Sequence, residues 1–214
     1  MRADTEPEIG PTVAAIVAAR ERVPRARSVL VAVSGMDGCG KGYTTARIVA
    51  ALRNAGLRAE GLNVDAWLNL PRLRFNAANP AEHFYRNAIR FDDMFAQLVL
   101  PLRDRRSIDI EFDFAAEPAT EYTRARAVYE DVDVIVLEGI YLLKREHLAH
   151  YDLTVWIEVS FATALARAIA RGQEGLPPAE TIAAYETTFF PAQRLHFARD
   201  DPLHTADLVI DNDR

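Results

Sequence analysis

The chain alternates short, continuous runs of apolar residues with longer stretches in which apolar residues recur at helical spacing. The runs at 28–34, 132–137 and 153–159 are typical of strands buried on both faces, and further strands are predicted at 59–64 and 207–210. Helices are predicted at 12–22, 41–54 and 161–171. A further helix is predicted from the end of the break at 172–178 to about 199, and a pair of helices across 81–103. Strands alternating with helices in this way predict an α/β fold, in which right-handed crossovers connect the strands of a parallel sheet.

Two segments depart from this alternation. Residues 69–80 are rich in Asn, Pro and Arg and predict an irregular loop. Residues 108–114 (IDIEFDF) alternate between apolar and polar, which is typical of a half-exposed strand. No internal repeat or low-complexity linker divides the 214 residues, so we expect a single domain over 1–214.

Composition narrows the classes of function. Half of the residues are apolar, enough to build a core without disulfides or metal ions. The formal net charge of −6 argues against a dedicated binder of nucleic acid or membrane surfaces. It does not exclude anionic small molecules as ligands. Cys39 is the only cysteine, which excludes a disulfide framework and a cysteine-cluster zinc site. A polar start and the lack of any apolar stretch of about 18 residues predict a cytoplasmic protein without a membrane span.

A glycine-rich segment separates the first buried strand from the helix at 41–54. Residues 35–41 (GMDGCGK) match the Gly-x-x-x-x-Gly-Lys spacing of a phosphate-binding loop. Glycines let the backbone bend around phosphates with its amide hydrogens pointing inward, and the following helix adds its positive N-terminal end. Lys41, one of two lysines in the chain, would reach the outer phosphates as a mobile charge. A glycine-rich turn without a ligand is the alternative, but strand, lysine and helix together favour nucleotide binding.

The residues after the lysine differ from the usual loop. That loop normally continues with Ser or Thr, whose hydroxyl ligates Mg²⁺, whereas here Gly42 and Tyr43 precede Thr44. Thr44 is a candidate metal ligand, and a metal held through water and acidic residues is the alternative. The predicted nucleotide-binding residues are Gly35, Asp37, Gly38, Cys39, Gly40, Lys41, Gly42, Tyr43 and Thr44.

Further segments follow the loop in a definite order. They are 65–67 (DAW), 80–86 (PAEHFYR) with 91–92 (FD), 112–114 (FDF), 137–140 (LEGI), 165–171 (LARAIAR), 193–195 (QRL) and 206–212 (ADLVIDN). With these segments the chain resembles, from about 28 to 212, the uridine kinase-like branch of the phosphoribulokinase/uridine kinase family. The resemblance implies a nucleoside-kinase-like P-loop NTPase fold of three layers, with a five-stranded parallel sheet, helices on both faces and a helical lid at about 167–194. It also implies transfer of the γ-phosphate of ATP to a hydroxyl group, with Mg²⁺ as a cofactor.

Two acidic residues lie at the ends of predicted strands, where open α/β sheets bind their ligands. Asp65 matches the family's catalytic base, which accepts the proton of the attacking hydroxyl. A helix N-cap is the alternative role of Asp65. Glu138 matches the acid that the family places near Mg²⁺, a cation that prefers oxygen ligands. The alternative for Glu138 is a strand-end carboxylate bound by backbone amides.

Two arginines, Arg167 and Arg171, lie four residues apart on the predicted helix at 161–171, just before a Gly/Pro-rich flap at 172–178. In the family this segment is the lid, and its arginines neutralise charge on the transferred phosphate. A solvated helix face is the alternative for this pair.

The resemblance also suggests where an acceptor would bind. The predicted acceptor-binding residues are Asp65, Trp67, Arg86, Phe112, Glu117 and Arg194. Uridine kinases have a Tyr where this chain has Phe112, and a base-recognising His where it has Glu117. The loss of two hydrogen-bonding groups makes uridine an unexpected acceptor, and Glu117 favours a donor-rich or cationic one.

Two functions of different classes are consistent with these residues. The leading hypothesis is a kinase that uses ATP and Mg²⁺ on a nucleoside-like or other small hydroxyl compound, with its oligomeric state left open. The alternative, favoured by Gly42 and Tyr43, is a nucleotide-binding regulatory or interaction protein without kinase activity. Asp65, Glu138 and the arginine pair favour the kinase, because a protein that only binds nucleotide needs none of them. A GTPase is disfavoured, since the chain lacks the Asn-Lys-x-Asp motif that reads guanine.

Overall fold

The computed structural model describes residues 7–115, 119–172 and 176–213. Its strands are β1 (Val29–Gly35), β2 (Ala59–Asn63), β3 (Ile108–Phe114), β4 (Thr123–Tyr129), β5 (Val134–Gly139), β6 (Leu153–Glu158) and β7 (Leu208–Asp211). Five of them form a parallel sheet in the order β2-β5-β1-β6-β7, which confirms the predicted sheet. The other two, β3 and β4, pair as an antiparallel ribbon.

Helices connect these strands and cover both faces of the sheet. They are α1 (Gly10–Arg22), α2 (Lys41–Asn54), α3 (Pro71–Arg74), α4 (Pro80–Asn87), α5 (Phe91–Met94), α6 (Leu100–Arg105), α7 (Phe161–Arg171), α8 (Pro178–Ala184), α9 (Phe190–Asp200) and α10 (Pro202–Thr205). A π-helical segment at Phe95–Val99 joins α5 to α6, and a second at Tyr185–Phe189 joins α8 to α9. None of the helices in the described ranges combines the length and apolar character needed to cross a membrane.

The core lies on both sides of the sheet, because successive residues of its strands point to opposite faces. In β1, Leu30 and Ala32 pack into one apolar cluster, and Val31 and Val33 into the other. All seven residues of β1 are buried. Burial on both faces is why the central strands have continuous apolar sequences rather than alternating ones.

The sequence-based assignments differ from the structure in several places. The predicted loop at 69–80 contains the short helix α3, and the predicted helix pair across 81–103 is divided into α4, α5 and α6. Strand β4 (TRARAVY) was not predicted, although its small and aromatic residues pack against the core and its arginines lie on the other, exposed face. Those arginines pair with acids of β3: Arg124 with Asp113 at 2.9 Å, and Arg126 with Asp109. Cross-strand ion pairs therefore contribute on the exposed face of this ribbon.

The strand register brings polar residues together at the carboxyl edge of the sheet. Glu138 of β5 lies between Asn63 of β2 and Val33 of β1 in the ladder. The loop that follows β1, the turn that follows β2 and the end of β5 therefore meet at one edge.

Candidate active site at the carboxyl edge of the sheet

The glycine-rich loop leaves β1 at Gly35 and enters α2 at Lys41. Gly38 has φ +78° and Gly40 has φ +89°, a left-handed conformation that strongly favours glycine. A Cβ on Gly38 would also lie 2.4 Å from the carbonyl oxygen of Ala164 in α7. The loop needs glycine at both positions for its shape, and at Gly38 also for its close packing against α7.

Asn212, just after β7, ties this loop to the opposite end of the chain. Its Nδ2 donates a hydrogen bond of 2.8 Å to the carbonyl oxygen of Cys39. The backbone carbonyl oxygen of Asn212 accepts a hydrogen bond of 2.8 Å from Nη2 of Arg167. Arg167 is thereby held next to the loop, through a residue that the sequence had not suggested for the site. Cys39 itself is completely buried, and this burial raises the pKa of its thiol.

Lys41 folds back over the loop. Its Nζ donates a hydrogen bond of 3.0 Å to the carbonyl oxygen of Met36 and lies 4.0 Å from Oδ1 of Asp37. The side chain is 12% exposed. Burial by itself lowers the pKa of Lys41, but nearby acidic groups, Asp37 and Glu138 among them, raise it by more. The ammonium is therefore charged at neutral pH.

Asn63 connects the two predicted acids. Its Nδ2 donates a hydrogen bond of 2.7 Å to Oε1 of Glu138, and its Oδ1 accepts one of 2.7 Å from the backbone N–H of Asp65. Asn63 is thus the cap of the 3₁₀ turn Val64–Trp67, so the N-cap role belongs to Asn63 and not to the exposed Asp65. The only sequence signal for Asn63 was its position at the end of β2, two residues before Asp65.

Close packing of the Val64 side chain on Gly139 holds this turn in place. A Cβ on Gly139 would lie 2.2 Å from Cγ2 of Val64, so only glycine lets the turn pack on the end of β5. Asp65 and Glu138 are therefore held near each other by packing as well as by Asn63.

Glu138 is a largely buried carboxylate, 8% exposed. Burial raises its pKa, Lys41 opposes this rise, and Asp65 adds to it by charge repulsion. Its hydrogen-bond partner is the side chain of Asn63, not the backbone amides that were the structural alternative. A buried carboxylate beside other acids is stabilised by a nearby cation.

The geometry does not favour Thr44 as the metal ligand. A Cβ on Gly42 would lie 3.6 Å from Oε1 of Glu138, whereas Thr44 lies about 200° further around the helix. The side chain of Thr44 is completely buried, and its hydroxyl has no hydrogen-bond partner among the described residues. A cavity of about 490 Å³ is lined by Gly42, Thr45 and Glu138, but not by Thr44. Within the described ranges no group of three or more His, Cys, Asp or Glu side chains could enclose a metal.

The structure places the remaining predicted residues in different surroundings. Trp67 comes two residues after Asp65, and Phe112 lies on β3. Their rings are stacked, with centroids 4.7 Å apart. Arg171 is exposed at the end of α7. Arg86 pairs with Glu82 within α4. The remaining two residues are Arg194, whose guanidinium lies 4.8 Å from the Phe161 ring, and Glu117, which lies outside the described residues.

The five-stranded order, the loop between β1 and α2, and acids at the ends of two adjacent strands define a P-loop kinase fold. The sequence model of the Phosphoribulokinase / Uridine kinase family matches residues 30–175, and the chain belongs to this family. The match includes the loop, Asp65, Glu138 and the arginines of α7. No curated protein matches the chain at a significant level.

Solved structures show the same fold. A "possible uridine kinase" from Bacillus stearothermophilus is 16% identical with a TM-score of 0.70, and the match covers 93% of this chain and 97% of that one. A "putative fructose transport system kinase" from Silicibacter sp. TM1040 is 24% identical with a TM-score of 0.69, covering 92% and 97%. The D-glycerate 3-kinase of Cryptococcus neoformans is 11% identical with a TM-score of 0.58, covering 86% and 89%. At these identities the likeness concerns the fold.

Proposed function

We propose that this protein is an ATP-dependent kinase that transfers the γ-phosphate to a hydroxyl group of a small metabolite. The observation that carries the proposal is the meeting of three charged groups at one edge of the sheet: Lys41 of the loop, the buried Glu138 and the exposed Asp65. Asn63 bonds to the carboxylate of Glu138 and to the backbone N–H of Asp65, so the end of β5 and the Asp65 turn are held next to each other. A protein that only binds nucleotide has no need of this arrangement.

The loop and its neighbours would bind the phosphates of ATP. Backbone amides of residues 36–40 and the N-terminal end of α2 supply the hydrogen-bond donors that an anion needs. Lys41 would exchange its contact with Met36 for the outer phosphates. Arg167, held beside the loop through Asn212, would neutralise charge that develops during transfer, with Arg171 one turn further along α7.

The residues present fit a magnesium ion that travels with ATP. Glu138 would hold it, directly or through water, in the space that Gly42 leaves open. When bound, Mg²⁺ supplies neutralisation of the charge on the β- and γ-phosphates. The carboxylate of Glu138 then gains a cation that offsets its burial.

Asp65 would bind the acceptor hydroxyl and take its proton. Its carboxylate is exposed at the edge of the sheet, where it can orient a hydroxyl toward the γ-phosphate. Trp67 follows Asp65 by two residues and stacks on Phe112 of β3 in the buried core, so this pair would support the acceptor site from beneath, for a nucleoside-like or other small acceptor. The net charge of −6 agrees with a small-molecule acceptor rather than a nucleic acid.

One observation favours a second candidate, a nucleotide-binding regulatory protein without kinase activity. Gly42 stands where the loop usually supplies a metal-ligating hydroxyl, and the next hydroxyl, Thr44, is buried.

Release of ADP from ATP and Mg²⁺ across a panel of acceptors separates the two candidates. The panel contains nucleosides, glycerate, sugars, pantothenate and aminoglycosides, which include the acceptors named for two of the structural relatives. We expect acceptor-dependent turnover that Lys41→Ala lowers by about 10²- to 10³-fold, the usual effect of removing one transition-state contact. Tight ATP binding without turnover on any acceptor would instead support the regulatory protein.

A further inference from the structure

A second group of basic residues surrounds Lys144, the other lysine of the chain. Lys144 lies in the segment between β5 and β6, and two cavities of about 620 and 360 Å³ border it. Both cavities are lined by Arg86, Asn87, Lys144 and Glu146, and together we call them the Lys144 groove. Neither is lined by the phosphate loop, Asp65 or Glu138. The groove therefore lies apart from the phosphate loop and the two acids of the candidate active site.

The ammonium of Lys144 is buried without a full set of partners. The residue is 6% exposed, and its Nζ donates one hydrogen bond of 2.9 Å to the carbonyl oxygen of Tyr85. The ring of Tyr85 lies 4.3 Å from Nζ, and that of Phe91 5.4 Å. Among the described residues no carboxylate lies within 4.0 Å of this Nζ, and burial lowers its pKa. An ammonium carries three N–H donors, so ligand oxygens can accept two more hydrogen bonds.

Two of the acids around the groove, Asp200 and Glu82, are already engaged. Asp200 accepts hydrogen bonds from the Tyr85 hydroxyl at 2.5 Å, from His196 Nδ1 at 2.7 Å and from the Arg145 backbone at 3.2 Å. A single carboxylate, Glu82, bonds to two guanidinium groups of the groove, those of Arg86 and Arg199.

The larger cavity of the groove has an excess of positive charge: it is lined by four basic residues, Arg86, Lys144, Arg145 and Arg199, against two acids, Glu146 and Asp200. In the smaller cavity three basic residues face three acids, so the excess belongs to the larger cavity. The side chain of Arg145 is exposed and has no ion pair with a described residue. This local excess stands out in a chain whose net charge is −6.

A purely structural lysine is the alternative. Contacts with ring faces and one carbonyl can hold an ammonium in a protein. A purely structural role for Lys144 does not require two adjoining cavities or an Arg145 without an ion pair. It also does not require that Arg86 and Arg199 share one carboxylate. Anion binding accounts for all three features, because a phosphate or carboxylate oxygen matches both guanidinium and ammonium donors.

We propose that the Lys144 groove binds a small anion, carrying a phosphate or carboxylate group, at a site distinct from the phosphate loop. Lys144 and Arg145 are its principal contacts. Arg86, predicted above for the acceptor site, lines this groove.

The two lysines of the chain make a direct test available. Protein with ¹³C-labelled lysine gives separate ε-CH₂ signals in an NMR spectrum for Lys41 and Lys144, assigned with Lys144→Met. Inorganic phosphate and citrate are titrated separately, as phosphate and carboxylate probes. We expect the Lys144 signal to shift and saturate with at least one of them, whatever happens at Lys41. Saturation by phosphate, by citrate or by both identifies the anion class.

Two charge-matched variants control the test. Arg145→Gln should weaken the response of Lys144 about five- to tenfold, as expected for loss of one charge-assisted contact. Arg22→Gln removes the same charge from an exposed position on α1 and should leave the response unchanged. A Lys144 signal that stays fixed or moves without saturating would overturn the proposal. So would equal weakening by both variants, since that would indicate general ionic screening.

Discussion

Asn63 and Gly139 set the geometry of the two acids at the candidate site. Asn63 bonds to Glu138 with its amide nitrogen and caps the Asp65 turn with its oxygen. Gly139 lets Val64 pack directly on β5. These constraints explain how an exposed carboxylate and a buried one come to share one edge of the sheet.

Asp65→Asn tests the role of the exposed carboxylate. We expect turnover to fall by about 10²- to 10⁴-fold, because the amide cannot accept the acceptor's proton. Affinity for ATP, measured by calorimetry, should stay within a factor of about two, since Asp65 does not contact the nucleotide in this account. Asp104→Asn, on the exposed end of α6, is the matched control. Parallel losses of turnover and ATP affinity would make Asp65 a metal-binding or structural residue instead.

Gly42→Ser tests the site proposed for the metal. The new Cβ fits, at 3.6 Å from Oε1 of Glu138, and its hydroxyl adds an oxygen next to that carboxylate. We expect Mg²⁺-dependent ATP binding to tighten roughly three- to tenfold, or by about 1 kcal/mol. Gly42→Ala is the control, because it adds the same Cβ without the hydroxyl. Equal affinities for the two variants would place the metal elsewhere.

The residue types of the site could be read from the sequence, but not all of its contacts. The loop, Lys41, Asp65 and Glu138 stand out because their chemistry is tied to their position after a strand. Asn63 and Asn212 were missed, because an asparagine side chain can make many kinds of hydrogen bond and only the fold selects one. Thr44 was suggested by its hydroxyl, but helix rotation turns it into the core.

At the scale of elements, the segment between β5 and β6 covers one face of the sheet and carries the ring of His147. The ring packs 4.7 Å from that of Phe91 and 5.0 Å from that of Phe95. Its burial, with a further contribution from the charge of Lys144, lowers the pKa of His147 to about 4. The ring is therefore neutral in the folded protein at neutral pH.

This lowered pKa predicts an acid sensitivity. The unfolded chain takes up the proton near pH 6.5 and the folded chain only near pH 4, so stability falls as the pH drops through this window. The full loss from His147 is about 3 kcal/mol. Urea unfolding of wild type and His147→Phe at pH 7.5 and pH 4.5 measures it: the variant should lose less stability than wild type.

The exposed His204 supplies the control for this prediction. Its side chain is 78% exposed, and His204→Gln should follow the wild type at both values of pH. If His147→Phe loses as much stability as wild type on acidification, other groups carry the pH dependence.

Elements were predictable where packing imposes a periodic pattern. Helices α2 and α7 begin and end at the predicted residues, because their apolar faces repeat at helical spacing and a glycine follows the end of each. The ribbon strand β4 was not predicted, since alanines on its core-facing side are a weak apolar signal beside exposed arginines. The π-helical segments were not predicted either, because a single turn with i→i+5 hydrogen bonds is too short to produce a periodic pattern of its own.

At the scale of the whole molecule, the sheet topology brings distant segments into one site. β1 lies at the centre, between β5 with Glu138 and β6, and the chain returns through β7 so that Asn212 reaches the loop. The ordered motif segments and the resemblance that they carry predicted the family correctly. The acceptor could not be predicted, because its recognition depends on how side chains from several elements combine, which no sequence pattern specifies.

The most direct measurement follows the γ-phosphate itself. Protein, Mg²⁺ and ATP labelled in the γ-phosphate are incubated with a pool of small metabolites, and the labelled products are separated. The account predicts label in a phosphorylated small molecule, formed by wild type and lost in Lys41→Ala and Asp65→Asn. Label that stays in ATP, or appears only as inorganic phosphate, while calorimetry shows that ATP binds would contradict it.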